Sequence, residues 1–204
     1  MMKNDVNIIL CGIGGEGLVL MSNILGEACR ISGKNVISGE MHGLAQRSGS
    51  VIIHMRIGED ILSPLIPPGE ADIILSLEMM EALRYLYYLK PGGSVITNSR
   101  LVHPPGITHQ LIMGDVDGYV GYDEVLDSIK RSDAKVVEVK ALSLAKKAGE
   151  VRAQNVVMIG ALSAALSQDP SRDDFIEAIS GIVPKKARED NIKAFELGEK
   201  AWDG

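Results

Sequence analysis

Apolar residues change their spacing several times along the chain, and each change marks an element. Residues 6–11 are a near-continuous apolar run ended by glycine, the pattern of a parallel strand covered on both faces. After a glycine cluster, Leu18, Met21, Ile24, Leu25, Ala28 and Ile31 recur at helical spacing. Gly33 follows where a helix end commonly needs a left-handed residue. Residues 36–38 predict a short second strand, and 39–50 a glycine- and serine-rich link. From 51 to 57 the pattern alternates: Val51, Ile53, Met55 and Ile57 share one face, which turns His54 toward solvent or a partner. Gly58-Glu59-Asp60 then reads as a hairpin turn into Ile61-Leu62, and Pro64, Pro67, Pro68 and Gly69 as a rigid connection.

The second half repeats the rhythm. Residues 72–77 predict a strand, 78–89 a helix, 91–93 a turn and 94–98 the next strand, the order found in a parallel sheet with covering helices. The proline- and glycine-punctuated stretch 100–121 yields no assignment. Beyond it the spacing predicts a helix over 123–131, a strand over 136–139 and helices over 141–148, 155–166, 172–180 and 187–202. The expected fold is a three-layer α/β/α Rossmann-like domain. It has a mostly parallel, mixed sheet, a hairpin insertion and a helical C-terminal third, and residues 1–204 form a single domain.

Composition narrows the function classes. The 204 residues are 46% apolar and 24% charged, enough for a large core and too apolar for a disordered chain. Lys plus Arg number 21 against 27 acids, and aromatics make up 4%, which argues against a nucleic-acid partner. No apolar stretch approaches the ~20 residues of a membrane span, and the first residues lack the pattern of a secretory leader. The two cysteines, Cys11 and Cys29, form no disulfide framework and are too few for an iron–sulfur or zinc site, so a cytoplasmic setting is expected.

Two segments concentrate candidate chemistry. Gly12, Gly14 and Gly17 satisfy G-x-G-x-x-G between a strand and a helix, with Gly15 inside, and Glu40 lies near where a ribose-binding acid is expected. That reading favours a phosphate or cofactor contact, with a free-standing NAD(P)-binding reductase as one alternative. Glu16 opposes it unless its carboxylate is turned away or neutralised. The second segment, 40–50, packs Glu40, His42, Gln46, Arg47, Ser48 and Ser50 between two strands, with Gly43 and Gly49 as hinges. Arg47 suits a carboxylate or phosphate, and His42 a hydrogen bond or proton relay. Glu78 and Glu81, beside Arg84, read as a solvated ion-pair surface. His103 and His109 show no metal-ligand spacing.

These motifs in order, with 40–51, 63–72, 155–162 and 191–198, make the chain resemble the gamma-type domain of 2-oxoacid:ferredoxin oxidoreductases, in its aryl-pyruvate branch. The resemblance covers nearly the whole sequence. It implies a subunit of a complex that decarboxylates an aryl pyruvate oxidatively to an acyl-CoA, reducing ferredoxin. Thiamine diphosphate and the iron–sulfur clusters would belong to a larger alpha subunit, which would also meet ferredoxin; this chain would bind no cofactor alone, with coenzyme A at the interface. By the same resemblance Gly12, Gly14, Gly15 and Gly17 approach a phosphate-bearing ligand or a partner loop. His42, Gln46, Arg47, Ser48 and Gly49 face the reaction centre, with His42 and Arg47 as catalytic candidates. The family usually has Gln where this chain has Glu16, a departure that favours a protein contact at that loop. A non-catalytic adaptor subunit is the other alternative.

Overall fold

A computed structural model describes residues 5–43, 49–103, 113, 119–167 and 169–202. Six strands form one sheet in the order β2-β3-β1-β4-β5-β6. They are β1 (Val6–Ile13), β2 (Val36–His42), β3 (Ser50–Ile57), β4 (Ala71–Ser76), β5 (Leu89–Asn98) and β6 (Lys135–Val139). β1, β4, β5 and β6 are parallel, whereas β3 runs antiparallel to both β1 and β2. Helix α1 (Leu18–Ile31) covers one face together with α4 (Ala141–Ala148), α5 (Gln154–Ala165), α6 (Arg172–Ile182) and α7 (Arg188–Trp202). The other face carries α2 (Met79–Arg84) and α3 (Tyr122–Lys130). The apolar run of β1 follows from this: Ile8 and Leu10 join the first core, Ile9 and Cys11 the second, and all four are fully buried.

α5 is buried almost all round, with Val156 through Ser163 inside the protein. It crosses α7 so closely that a Cβ on Gly198 would lie 1.9 Å from the carbonyl oxygen of Val157, and one on Gly160 2.1 Å from that of Phe195. Phe195 and Phe175 stack with centroids 5.8 Å apart beneath this crossing. Residues of these helices share one buried cluster with residues of β1, β3, β4, β5 and β6, so the helical third packs on the sheet.

Several expectations are corrected. β2 extends to His42, because its backbone pairs with β3 as far as His42↔Val51. Ile61 and Leu62 form no strand; the three following prolines lack the donor a ladder needs, and Leu62 is 98% exposed. The helix expected over 78–89 stops at Arg84, followed by a 3₁₀ turn over Leu86–Tyr88. Leu89 already pairs with Ala71, its backbone extended at φ −69° and ψ 133°. The 91–93 turn is a bulge within β5, between the pairs Ala71↔Leu89 and Ile73↔Ser94. His54 is only 1% exposed. β3 is an interior strand, and the 63–69 connection crosses its second face, where the Ile66 amide donates to His54 Nδ1 at 3.1 Å.

Candidate functional site

Parallel strands end together, and their C-terminal edge is where an open α/β sheet presents ligand contacts. Here that edge gathers the loop after β1, the ends of β4 and β5, and the start of α5. They enclose a cleft of about 530 Å³ lined by residues 13–17 with Leu77, Asn98, Arg100, Arg152, Gln154 and Asn155, among others. Asn98 braces the floor: its Nδ2 donates to the Leu77 carbonyl and its Oδ1 accepts from the Ala141 amide, both at 3.3 Å. Asn155 Nδ2 donates to the carbonyls of Glu16 at 3.0 Å and Gly17 at 3.2 Å, which fixes the glycine loop to α5. Gly17 adopts φ +89° there, and a Cβ on it would lie 2.2 Å from that amide nitrogen, so both conformation and space call for glycine.

Arg100 and Arg152 line the cleft together with Glu16. α1 begins at it with neither a side-chain cap nor an acid in its first turn, while α5 continues a 3₁₀ turn, Val151–Ala153, whose Arg152 amide donates to the Glu150 carboxylate at 2.9 Å. By contrast α3, α6 and α7 open with Asp123 and Glu124, Asp173 and Asp174, and Glu189 and Asp190. Acids there complement the helix dipole, so the uncapped N-terminus of α1 with Arg100 and Arg152 suits an anion from outside. Glu16 is neutralised as the sequence required. Its Oε2 accepts from the Ile13 amide at 2.7 Å, and its Oε1 pairs with Arg100. Burial raises its pKa, while the Ile13 amide and Arg100 act in the opposite sense.

Beside the cleft lies a second polar group that the sequence pattern misassigned. Glu78 and Glu81, expected in solvent, are 1% and 5% exposed. Glu78 caps α2, its Oε2 accepting from the Glu81 amide and its Oε1 from the Val102 amide, each at 2.9 Å. The chain after β5 folds over this carboxylate and buries it, which raises its pKa. Glu81 accepts from Ser50 Oγ and from Arg84 Nε, and Tyr85 Oη lies 2.6 Å from the same serine oxygen. The available signal was positional: Glu78 follows a parallel strand by two residues, where a helix cap is needed.

Gly14, Gly15 and Gly17 lie in the loop, Gly12 is the penultimate residue of β1, and Gly14 meets Gly49, whose carbonyl accepts its amide at 2.8 Å. The two candidate segments therefore share one edge. His42 ends β2 and is exposed, its Nε2 2.9 Å from Glu40 Oε1. Gln46, Arg47 and Ser48 lie outside the described residues. Glu40 sits inside β2, not after it, and β3 separates β2 from β1. At ~4.8 Å per strand that sets Glu40 about 10 Å from where a dinucleotide-binding ribose acid stands, which removes the structural basis for the NAD(P) reading. The thiols do not fit an iron–sulfur cluster either. Cys11 and Cys29 are buried in different cores, and burial raises both thiols, that of Cys29 to about 12.

The fold is an α/β domain with a polar cleft at the C-terminal edge of its parallel strands and two cysteines buried in different cores. The chain matches the pyruvate ferredoxin/flavodoxin oxidoreductase family over residues 7–201. It is 42% identical to an indolepyruvate oxidoreductase subunit, IorB, of Thermococcus kodakarensis, over 97% of this chain and 96% of that one. With the 2-oxoglutarate synthase subunit KorC of Archaeoglobus fulgidus the identity is 26%, over 97% and 88%. Among solved structures, the gamma subunit of a keto/oxoacid ferredoxin oxidoreductase from Geobacter sulfurreducens superposes with a TM-score of 0.70 at 24% identity, covering 97% of this chain and 98% of that one. A 2-oxoglutarate:ferredoxin oxidoreductase from Magnetococcus marinus, with 2-oxoglutarate, coenzyme A and succinyl-CoA bound, gives 0.71 at 19% identity. That match covers 98% of this chain but 31% of the other. The chain belongs to the pyruvate ferredoxin/flavodoxin oxidoreductase family, as a gamma-type subunit of the 2-oxoacid:ferredoxin oxidoreductases.

Proposed function

We propose that this chain, as one domain over residues 1–204, is the small subunit of a cytoplasmic indolepyruvate or aryl-pyruvate ferredoxin oxidoreductase. The observation that carries the substrate class is the 42% identity to an indolepyruvate oxidoreductase subunit against 26% to a 2-oxoglutarate synthase subunit, both over 97% of this chain. In the complex the 2-oxoacid loses carbon dioxide, its acyl carbon joins the sulfur of coenzyme A as the thiol proton is released, and two electrons pass to ferredoxin. A larger subunit holds thiamine diphosphate and the iron–sulfur clusters, which supply the cleavage and the electron path. This chain's residues bind and wall off. The N-terminus of α1 with Arg100 and Arg152 offers the fit for a phosphate of coenzyme A. Gly12, Gly14, Gly15 and Gly17 carry that wall. By the family resemblance, His42, Gln46, Arg47, Ser48 and Gly49 serve the reaction centre shared with the partner, with His42 and Arg47 as the catalytic candidates.

Co-expression with the larger subunit tests this. The purified complex should reduce a viologen dye with indolepyruvate and coenzyme A, and neither subunit alone should. A fully assembled complex that turns over 2-oxoglutarate but no aryl pyruvate would overturn the substrate class. Arg47→Ala separates wall from adaptor: turnover should be lost from an intact complex, whereas lost assembly would mark a docking role.

A further inference from the structure

The loop after β1 has the shape of a phosphate cradle, yet the chain fills part of it from inside. Of the five amides from Ile13 to Gly17, three are engaged internally: Ile13 to Glu16 Oε2 at 2.7 Å, Gly14 to the Gly49 carbonyl at 2.8 Å and Glu16 to the Ile13 carbonyl at 3.1 Å. A Cβ on Gly12 would lie 2.7 Å from Glu16 Oε2, so glycine is what lets this carboxylate fold back into the loop. The Glu16 side chain is 9% exposed and Arg100, its ion-pair partner, 50% exposed. One edge of the guanidinium therefore serves the buried carboxylate while the rest remains open to the cleft. Glu78 and Glu81 add negative charge near Glu16, and the exposed Arg152 also lines the cleft.

We propose that Glu16 is a built-in competitor for the cleft's anion: its carboxylate occupies the first anion seat of the glycine loop and holds Arg100, so an incoming phosphate-sized anion must take Arg100 from it. Glu16 thereby acts as a specificity-determining residue, one that weakens small anions and favours a ligand making further contacts along the cleft. The proposal rests on the anion-binding reading of the cleft given above.

Sulfate titrated into the full chain, followed through the NMR amide shifts of Gly15, Gly17 and Gln154, tests it. Glu16→Gln keeps the length and one oxygen for the Ile13 amide, and it should bind sulfate about tenfold more tightly than the unmodified chain. In an Arg100→Gln background the same substitution should gain about threefold or less, because only the repulsion of the carboxylate is then removed. Equal affinities with and without Glu16, or a gain undiminished in the Arg100→Gln background, would overturn the competitor. If no protein shifts those amides, the anion cleft itself fails, a different result from either of these.

Discussion

At the crossing of α5 and α7, Gly160 and Gly198 bring backbone against backbone, with a Cβ at either facing a carbonyl oxygen at 2.1 or 1.9 Å. At the end of β1 and in the loop after it, Gly12 and Gly17 bring backbone against side chains, the carboxylate of Glu16 and the amide of Asn155. A main-chain carbonyl inside two packed helices cannot move without separating them, whereas a carboxylate or amide can turn on its own bonds. The same residue type is thus structural in one region and adjustable in the other. The adjustable contacts stand where a ligand enters.

The largest effect should come from the rigid region. Gly198→Ala should lower stability by about 3 kcal/mol or more through forced separation of α5 and α7, read as the urea midpoint. A loss below about 1 kcal/mol would mean the helices slide freely and would erase the distinction. Gly17→Ala should cost about 1–2 kcal/mol for its left-handed backbone, plus the clash with Asn155. Combining it with Asn155→Ala should recover the clash, and no side-chain truncation should similarly rescue Gly198→Ala. The smallest effect concerns pH. The Gly198 contact is backbone only, so its cost should be equal at pH 4.5 and 7.5.

Glu78 should behave otherwise. Its pKa is raised by burial from 4.5, so its favourable contribution is full below that value and is lost as pH rises through the shifted one. Glu78→Gln removes that loss together with one of two accepted amide bonds, worth about 1 kcal/mol. Its penalty should therefore shrink from pH 4.5 to 7.5. A penalty that grows over the same range would show that the ionised carboxylate, held by the Glu81 and Val102 amides, is the favoured form.

Much of the parallel part of the sheet was legible because burial on both faces leaves a local trace. The run at β1, the spacing of α1 and the strand–helix–strand order of β4, α2 and β5 follow from it, and α4 falls on its expected residues, Ala141–Ala148. The antiparallel part was less so. The alternation of β3 is real, but alternation reports two environments and not which of them is solvent; His54 faces a second core closed by the 63–69 connection. The stretches at 155–162 and 191–198 carried the family resemblance and contain Gly160 and Gly198. Their specificity is that of a close helix crossing. In the candidate site the glycine loop and its conflict with Glu16 were readable, while Arg100, the partner that resolves it, lay in a stretch without assignment, 84 residues away.

What the sequence determined by itself is what short-range physics encodes: the elements, the glycines that allow close approach, and a thiol count too small for a redox cluster. Tertiary structure alone decided that β3 enters between β1 and β2, that Glu78 and Glu81 are buried and that Arg100 reaches Glu16. Each depends on strand order or on a distant segment folding over a local one. Hydrophobic periodicity records that a residue is covered; it carries no record of what covers it.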